Sequence, residues 1–285
     1  MQNATMQNAN TLNCRADTLA SRTQAVERVI NAMRAQWDGP MPLQAMADVA
    51  GLSPYHFNRV FRDATGVPPC HFLAALRLEA AKRLLLTTRF NVVDVCFEVG
   101  YDSLGTFTTR FTQTVGLPPR DLRRLFREAD AESLAHAGAP PRGDEREGGR
   151  HQWLSRRGPC VEGSLGVPAG FEGVVFVGLF TTPVPQGRPA GCALMHGGGE
   201  FRIAGVPDGT YYALAAAVKP DAGALGFLLP GDECPRGKAG PFVVSGGSAD
   251  REVRVQLREA RVTDPPILVS LPMLLGERER EPVAM

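Results

Sequence analysis

The sequence predicts a multidomain α and β protein, in which an all-α double helix-turn-helix domain is followed by a small antiparallel β-sandwich domain. One frame of helix, glycine turn and capped second helix occurs twice within residues 43–119. Apolar residues recur at helical spacing before about Glu128 and at a spacing of two after His151. A chain of 285 residues with 44% apolar residues is long enough to fill two cores.

The second copy of the frame, Gly100–Pro119, has the sharper limits. Ser103 is placed to cap a helix, because its hydroxyl can accept hydrogen bonds from the first backbone N–H groups. Phe107 and Phe111 follow on one helical face, four residues apart. Gly116 then predicts the end of the helix.

The first copy lies fifty residues upstream. Ser53 precedes Phe57 and Phe61 at the same offsets, and Gly66 corresponds to Gly116. A short apolar helix that ends in glycine precedes each cap, within Leu43–Ser53 and Val92–Ser103 in turn. Ala47 and Cys96 are the small residues at which the two helices of each unit are expected to approach closely. Two copies of this arrangement predict two helix-turn-helix units.

Two further helices accompany the duplicated unit. Val26, Ile30, Met33 and Trp37 predict a helix over Ser21–Trp37 that packs one face on the first unit. Cys70–Thr88 predicts a helix between the two units, about 27 Å long at 1.5 Å per residue. A rigid helix of this length suits two reading elements on successive major-groove segments, which lie about 34 Å apart.

The stretch from Leu43 to Phe126 resembles the AraC/XylS family of bacterial transcription regulators. The resemblance rests on an A-x-x-x-G-x-S frame, on paired F-x-x-x-F motifs, on linker-helix residues and on the pattern from Gly100 to Pro118. The frame and linker-helix positions are Ala47, Gly51, Ser53, Arg77, Ala80, Leu84 and Leu85. This resemblance implies two helix-turn-helix subdomains joined by a long helix, and sequence-specific binding to double-stranded DNA. We expect no enzymatic activity and no cofactor.

Helix geometry predicts which side chains face DNA. Asn58 and Arg59 carry forked donors that suit adenine and guanine edges, whereas Leu104 and Gly105 have little hydrogen-bonding reach. The first helix is therefore expected to supply most base readout, and the second to supply thymine-methyl contacts, phosphate contacts and positioning. The full set of candidate DNA-binding residues is Tyr55, His56, Asn58, Arg59, Arg62, Ser103, Leu104, Gly105, Thr108, Thr109 and Arg110.

Other basic residues have two interpretations. Residues Ser21–Glu128 contain 14 Lys plus Arg against 10 Asp plus Glu, a basic excess that permits phosphate contacts. The simplest interpretation of Arg77, Lys82, Arg83 and Arg89 is a solvated face of the linker helix. The cluster Arg120, Arg123, Arg124 and Arg127 either contacts phosphates or balances a helix C-terminus.

The C-terminal part is predicted to be a sandwich of short strands. Alternation is clearest in EVRVQLRE, where Val253, Val255 and Leu257 are expected to point inward. The predicted strands are Glu172–Phe180, Gly191–His196, Glu200–Val206, Thr210–Val218, Pro241–Gly246 and Glu252–Glu259. The run from Phe201 to Tyr212 is similar to a signature of transthyretin-like and carboxypeptidase-regulatory-like sandwich domains, which generally lack catalytic residues.

The segment between Lys219 and Pro241 is expected to be a long loop. Tyr212, Phe227 and Leu228 are the candidates for lining a ligand pocket, with packing on the domain's own core as the alternative. We therefore expect the sandwich to sense a small molecule or, alternatively, to act only as a dimerisation or protein-interaction module. RNA polymerase is a further candidate partner, and the chain is expected to be a monomer or homodimer.

No motif predicts catalysis or a metal site. The six cysteines are scattered without a C-x-x-C pair, so most are expected to be buried thiols. No apolar run of 18 or more residues and no signal peptide is recognisable, which predicts a cytoplasmic protein without a membrane segment. The expected domains are 1–20 (disordered), 21–128 (double helix-turn-helix), 129–150 (linker), 151–275 (sandwich) and 276–285 (disordered tail).

Overall fold

The computed structural model describes residues 20–128 and 160–271. The expected linker over 129–150, the tail over 276–285 and the N-terminal segment before residue 20 lie outside the described residues. The helices of the first part are 20–35 (α1), Leu43–Ala50 (α2), Pro54–Thr65 (α3), Pro69–Thr87 (α4), Val92–Glu98 (α5), Leu104–Val115 (α6) and Pro119–Glu128 (α7). The predicted order of helices is therefore confirmed.

The chain separates into two compact units. The first contains residues up to Arg77 together with Arg261–Pro265, and the second contains Leu78–Ala260 and the residues from Pro266 onward. The division falls inside α4, so α5, α6 and α7 belong to the same unit as the β-strands. The domain limits given from the sequence stay a prediction.

In the first unit, α1 buries the expected apolar stripe. Val26, Ile30 and Met33 are fully buried, whereas Trp37 lies beyond the end of the helix and is half-buried. Spacings of four and three residues place the three buried side chains on one helical face.

An arginine closes the end of a preceding helix in each copy of the unit. Arg77 donates from Nε to the carbonyl of Trp37 at 2.8 Å and from Nη2 to that of Gly39 at 2.9 Å. Arg123 donates to the carbonyls of Leu85 at 2.9 Å and Phe90 at 2.6 Å. Leu85 is among the last four residues of α4, whose carbonyls lack intrahelical donors. The other three carbonyls lie in the segments just after α1 and α4, so both arginines satisfy groups that would otherwise need water. Arg77 is therefore not only a solvating residue of α4.

The second unit contains a sandwich of eight described strands. They are Cys160–Gly166 (β1), Val174–Phe180 (β2), Gly191–His196 (β3), Gly199–Ala204 (β4), Gly209–Val218 (β5), Arg236–Ser245 (β6), Ser248–Ala249 (β7) and Val253–Gln256 (β8). One sheet has the order β4-β1-β8 and the other β3-β2-β5-β6-β7. All pairings are antiparallel except that of β1 with β8.

The central strands of the five-stranded sheet, β2 and β5, are buried on both faces. The inner face of the sheet packs on the three-stranded sheet through residues such as Val175 and Val177, and the predicted inward residues of β8 lie in this core. Its outer face carries Val174 and Phe176 and is covered by further apolar residues. This double burial explains the continuous apolar sequence VVFVGLF of β2, since alternation is lost when both faces are covered.

The expected long loop between Lys219 and Pro241 is wrong. The segment contains a 3-10 turn at Pro220–Ala222, a short helix at Gly223–Leu228 (α8) and the start of β6 at Arg236. Burial of apolar side chains from α8 on the outer face of the sheet holds the helix in place. Strand β1 was also missed, because CVEGSLG contains two glycines and alternates poorly.

The expectation that most cysteines are buried is also wrong for the described part of the chain. Cys96 and Cys234 are buried, Cys160 and Cys192 are half-buried and Cys70 is exposed. Burial raises the pKa of the Cys234 thiol to about 11, so it stays protonated at neutral pH.

The hydrogen bonds that Arg123 donates to two carbonyls predict that substitutions of two adjacent arginines have unequal effects on local stability. Arg123→Met should lower the opening free energy of the α5 amides by about 1–3 kcal/mol, because it leaves two carbonyls without their donors. Arg124→Met is the matched control, since Arg124 is exposed and makes an ion pair with Asp121 at 3.0 Å. It should cost less than about 1 kcal/mol. Native-state hydrogen exchange measures both, and equal effects would contradict the closure role.

Candidate nucleic-acid interface

The turn that joins the two helices has the same hydrogen bonds in both helix-turn-helix copies. In the first, Gly51 N–H donates to the carbonyl of Asp48 at 3.1 Å and Leu52 N–H to that of Ala47 at 3.0 Å. In the second, the N–H groups of Gly100 and Tyr101 donate at 3.0 Å and 3.1 Å to the carbonyls of Phe97 and Cys96. Gly51 and Gly100 have φ angles of 69° and 74°, the left-handed conformation that such a turn requires.

The second helices of the two helix-turn-helix copies, α3 and α6, which we call the recognition helices, begin differently. Ser103 caps α6, because its Oγ accepts from the N–H of Thr106 at 3.4 Å. Ser53 occupies the equivalent position before α3 but makes no side-chain capping hydrogen bond, and Pro54 begins the helix. The second helix-turn-helix copy also has one residue more between its turn glycine and its capping serine, since Asp102 has no counterpart in the first copy. The caps therefore correspond in place and differ in chemistry.

The inner faces of both helices are fixed by paired aromatic rings. Phe57 and Phe61 are fully buried with ring centroids 5.4 Å apart, and Phe107 and Phe111 are fully buried at 5.5 Å. Ala47 and Cys96, the small residues of the preceding helices, are also fully buried. The predicted core faces of the two recognition helices are thus confirmed, and they determine which side chains remain outside.

The outer face of α3 carries long polar side chains. Tyr55 is 85% exposed, and Asn58, Arg59 and Arg62 are exposed beside it. His56 is half-buried, and its Nδ1 lies 3.4 Å from Nη2 of Arg59. This surface presents several donors with enough reach to enter a groove.

The outer face of α6 is shorter and less polar. Leu104 is 40% exposed, and Gly105, Thr109 and Arg110 are exposed, whereas Thr108 is half-buried. Arg110 is the longest donor on this face, and Ser103 keeps its hydroxyl hydrogen available while its oxygen caps the helix. The contrast in chemistry that the sequence indicated is therefore present at the surface, although the contacts with DNA stay a prediction.

Two of the candidate ligand residues, Phe227 and Tyr212, lie in or against the apolar cluster on the outer face of the five-stranded sheet. Phe227 and Leu228 are fully buried, and Tyr212 is half-buried and packs on the same apolar cluster. The rings of Phe227 and Phe176 are 6.2 Å apart. These residues are used in packing, as the alternative interpretation from the sequence expects.

Lys82 is the residue whose position the sequence analysis missed. It is fully buried rather than part of a solvated face of α4. Leu78 precedes it by four residues, and Leu85 and Leu86 follow at three and four, all of them buried. Helical periodicity therefore offered a signal that Lys82 shares the apolar face.

Other kinds of site are not indicated in the described ranges. Over residues 20–128 and 160–271, no group of three His, Cys, Asp or Glu side chains is arranged to hold a metal ion. Within the same ranges, none of the helices combines the length and the apolar character needed to cross a membrane.

Comparison with known proteins gives a match in the helical region. Residues 46–125 match the model of a helix-turn-helix domain. The chain is 32% identical over 86 residues to the uncharacterized HTH-type transcriptional regulator YobQ of Bacillus subtilis, a match that covers 30% of this chain and 36% of that protein. It is 33% identical over 93 residues to the HTH-type transcriptional regulator Rv1931c of Mycobacterium tuberculosis, covering 33% and 36%. The match thus spans little more than a third of the length of either relative.

One similar solved structure is the DNA-binding domain of the global transcriptional factor AdpA in complex with a target DNA. It is 26% identical, covers 36% of this chain and 92% of that chain, and has a TM-score of 0.35. Residues 46–125 of this chain thus match a helix-turn-helix domain, and the relatives that share this region are named HTH-type transcriptional regulators.

Two glycines of α6 should respond in opposite directions to alanine. A Cβ at Gly105 would meet only Ser103 Oγ at 3.8 Å, so Gly105→Ala should stabilise α6 by about 0.5 kcal/mol. Gly116 ends α6 at φ 91°, so Gly116→Ala should destabilise it by about 1–2 kcal/mol. The exchange rates of the α6 amides measure both effects. A loss of protection in Gly105→Ala would show that this position is not a regular part of the helix.

Proposed function

We propose that the protein is a sequence-specific DNA-binding regulator of transcription, in which α3 and α6 enter adjacent major-groove segments. The observation that carries the proposal is the duplication itself: two helices with buried aromatic faces, preceded by the same glycine turn, present polar or small residues outward. The matched relatives named above as transcriptional regulators share this region, and their function is carried over here as part of the proposal.

The spacing of the two helices follows from α4 in this proposal. The helix continues without a break over 19 residues, which corresponds to about 28 Å at 1.5 Å per residue. That length is close to the separation of about 34 Å between successive major-groove segments. A rigid connection of this kind would fix the register of both recognition helices within a single chain.

The two helices have different roles. On α3, Arg59 reads guanine, Asn58 reads adenine, and Tyr55, His56 and Arg62 complete the contact surface. On α6, Leu104 contacts thymine methyl groups, while Ser103, Thr109 and Arg110 contact the phosphate backbone. Gly105 allows close approach of the backbone, and Thr108 supports the helix from its half-buried position.

For the sandwich, Tyr212 and Phe227 are used in the domain's own packing, which favours a role as a protein-interaction module over a ligand pocket at these residues. Binding of a small molecule is the other candidate role. A thermal-shift screen of metabolites with the full chain separates the two, because a ligand that binds only the folded state raises the unfolding temperature.

Substitution of two arginines tests the assigned roles. Arg59→Ala should weaken binding to the preferred site by about 1–3 kcal/mol and relax the preference at one base pair. Arg110→Ala should weaken binding to all sequences alike and reduce the slope of log affinity against log salt by about one. The preferred site is obtained by selection from random DNA, and affinities are then measured for every single-base variant.

Arg254→Ala is the matched control, because Arg254 is an exposed arginine on the sandwich. It should leave both the affinity and the preference unchanged. An unaltered base preference in Arg59→Ala would refute the reading face assigned to α3. Selection that returns no preferred sequence for the unmodified chain would refute the proposed function as a whole.

A further inference from the structure

Residues 266–271, here called the strap, lie between the sandwich and the second helix-turn-helix inside one compact unit. Three apolar side chains of the strap, Ile267, Val269 and Leu271, belong to the cluster on the outer face of the five-stranded sheet. Phe176 and Phe227 belong to the same cluster. The alternate residues of the strap are therefore anchored on the sandwich.

Two further strap residues, Leu268 and Ser270, make hydrogen bonds to α4 and α6. Leu268 and Ser270 are fully buried. The N–H of Ser270 donates to the carbonyl of Val115 at 3.2 Å, and Lys82 Nζ donates to the carbonyl of Leu268 at 2.9 Å. Val115 is the last residue of α6, so one of these hydrogen bonds ends on the recognition helix itself.

The loop between β2 and β3 makes a second connection to the same helix end. The N–H of Gly187 donates to the carbonyl of Thr114 at 2.7 Å. The N–H groups of Leu268 and Val269 in turn lie 3.4 Å from the carbonyl of Pro185, which joins the loop to the strap. A Cβ at Gly187 would lie 2.8 Å from the carbonyl oxygen of Gln113, so only glycine permits this approach.

These contacts satisfy carbonyl groups that α6 cannot satisfy itself. The last four carbonyls of an α-helix have no intrahelical donor. In α6, two of them receive N–H groups from the sandwich side, at Thr114 and Val115. At the end of α3, Gly66 N–H and Thr65 Oγ1 close the helix locally, with hydrogen bonds to the carbonyls of Arg62 and Phe61.

We propose that the strap and the β2–β3 loop form the C-terminal cap of the second recognition helix, with Lys82 as the positioning residue that holds the strap in place. The sandwich thereby sets the stability and position of α6, and any partner that displaces the strap changes DNA binding through the second helix-turn-helix. The effect on DNA rests on the proposed function, whereas the capping of α6 does not.

The chemistry of Lys82 gives the strap a pH dependence. Burial lowers the pKa of Lys82 from 10.5 to about 7, and Glu79, the charged group near it, acts in the opposite direction. The strap, residues 184–187 and the last four residues of α6 carry no titratable side chain. The seated strap therefore favours the neutral amine, and release of the strap takes up a proton wherever the pH lies between about 7 and 10.5.

The two pKa values give the direction in which opening of the strap depends on pH. As the pH falls from 10.5 towards about 7, opening of the strap becomes more favourable, by up to about tenfold per pH unit. Below about pH 7 the amine is protonated in both states, so the dependence levels off. Hydrogen exchange reports the opening through the hydrogen-bonded amides of Leu268, Val269 and Ser270.

The first experiment measures exchange of these amides in the full chain at pH 9, 8, 7 and 6, corrected for intrinsic chemistry. The opening constant should rise about tenfold from pH 9 to pH 8 and only slightly from pH 7 to pH 6. Lys82→Met should remove the dependence and speed exchange at the end of α6. Lys238→Met, at an exposed site on β6, should keep it. A flat profile in the unmodified chain, or a profile shared by Lys82→Met, would overturn the role of Lys82.

A second pair of variants tests the cap without changing a charge. Gly187→Ala should release the loop from α6, because the added Cβ meets the backbone of Gln113. Gly197→Ala is the matched control, since Gly197 has a similar φ of 75° but nothing within 4 Å of the added Cβ. Exchange at the C-terminal end of α6 should accelerate about tenfold or more in the first variant relative to the second, as expected for a lost hydrogen bond and a steric clash.

The effect on DNA binding is measured with the same two variants and the preferred DNA site. Gly187→Ala should raise the Kd several-fold relative to Gly197→Ala, with the loss confined to base pairs assigned to α6. Faster exchange of α6 with an unchanged Kd would refute the coupling to DNA, and equal exchange in the two variants would refute the cap itself. If the unmodified chain binds no preferred sequence, the proposed function fails while the exchange data still decide the cap.

Discussion

The carbonyl groups at the ends of helices are the constraint on which the described structure depends. The last four carbonyls of a helix have no hydrogen-bond donor within the helix. In a recognition helix, the outward side chains do not supply those donors either, because they face the binding partner. The N–H groups of the glycine turns donate to the carbonyls of Ala47 and Cys96. Arginines donate to carbonyls at or just beyond the ends of α1 and α4, and the strap and the β2–β3 loop donate to the last carbonyls of α6. Each of these hydrogen bonds also holds one element against the next. The contacts that satisfy the carbonyl groups therefore also set the relative positions of the elements that they join.

The two copies of the unit differ most where this closure differs. The first recognition helix ends in local contacts and carries Tyr55, Asn58 and Arg59, whose long side chains can reach base edges. The second carries short side chains and receives its final hydrogen bonds from the strap and the β2–β3 loop. In the proposed function, the first helix supplies specificity and the second supplies a contact that the sandwich can adjust. A duplicated motif thus acquires two roles through different surroundings rather than a different fold.

Much of the fold could be predicted because its signals are local. The paired phenylalanines and the alternation of Val253, Val255 and Leu257 each follow from a period within one element, and the second copy repeats the first about fifty residues later. The outward residues of α3 and α6 follow from the same period once the buried face is known. Assignments of single side chains to bases stay a prediction, since helix geometry gives the exposed face and not its partner.

The features that were missed depend on contacts far apart in the sequence. Lys82 is buried where its Nζ donates a hydrogen bond to the carbonyl of Leu268, 186 positions later, and no local pattern indicates that partner. Helix α8 forms where a long loop was expected because its apolar residues cover an outer sheet face that a two-layer sandwich would leave to solvent. Strand β1 pairs in parallel with β8, a partner about ninety residues away that its own glycine-rich sequence does not suggest.

The most direct test of the account is a hydroxyl-radical footprint of the unmodified full chain on its selected DNA site. In the proposed function, α3 and α6 enter adjacent major-groove segments, which predicts two protected segments on one face of the duplex, separated by about one helical turn of 10 base pairs. A single protected segment, or two segments on opposite faces, would contradict the central claim that α3 and α6 bind DNA together.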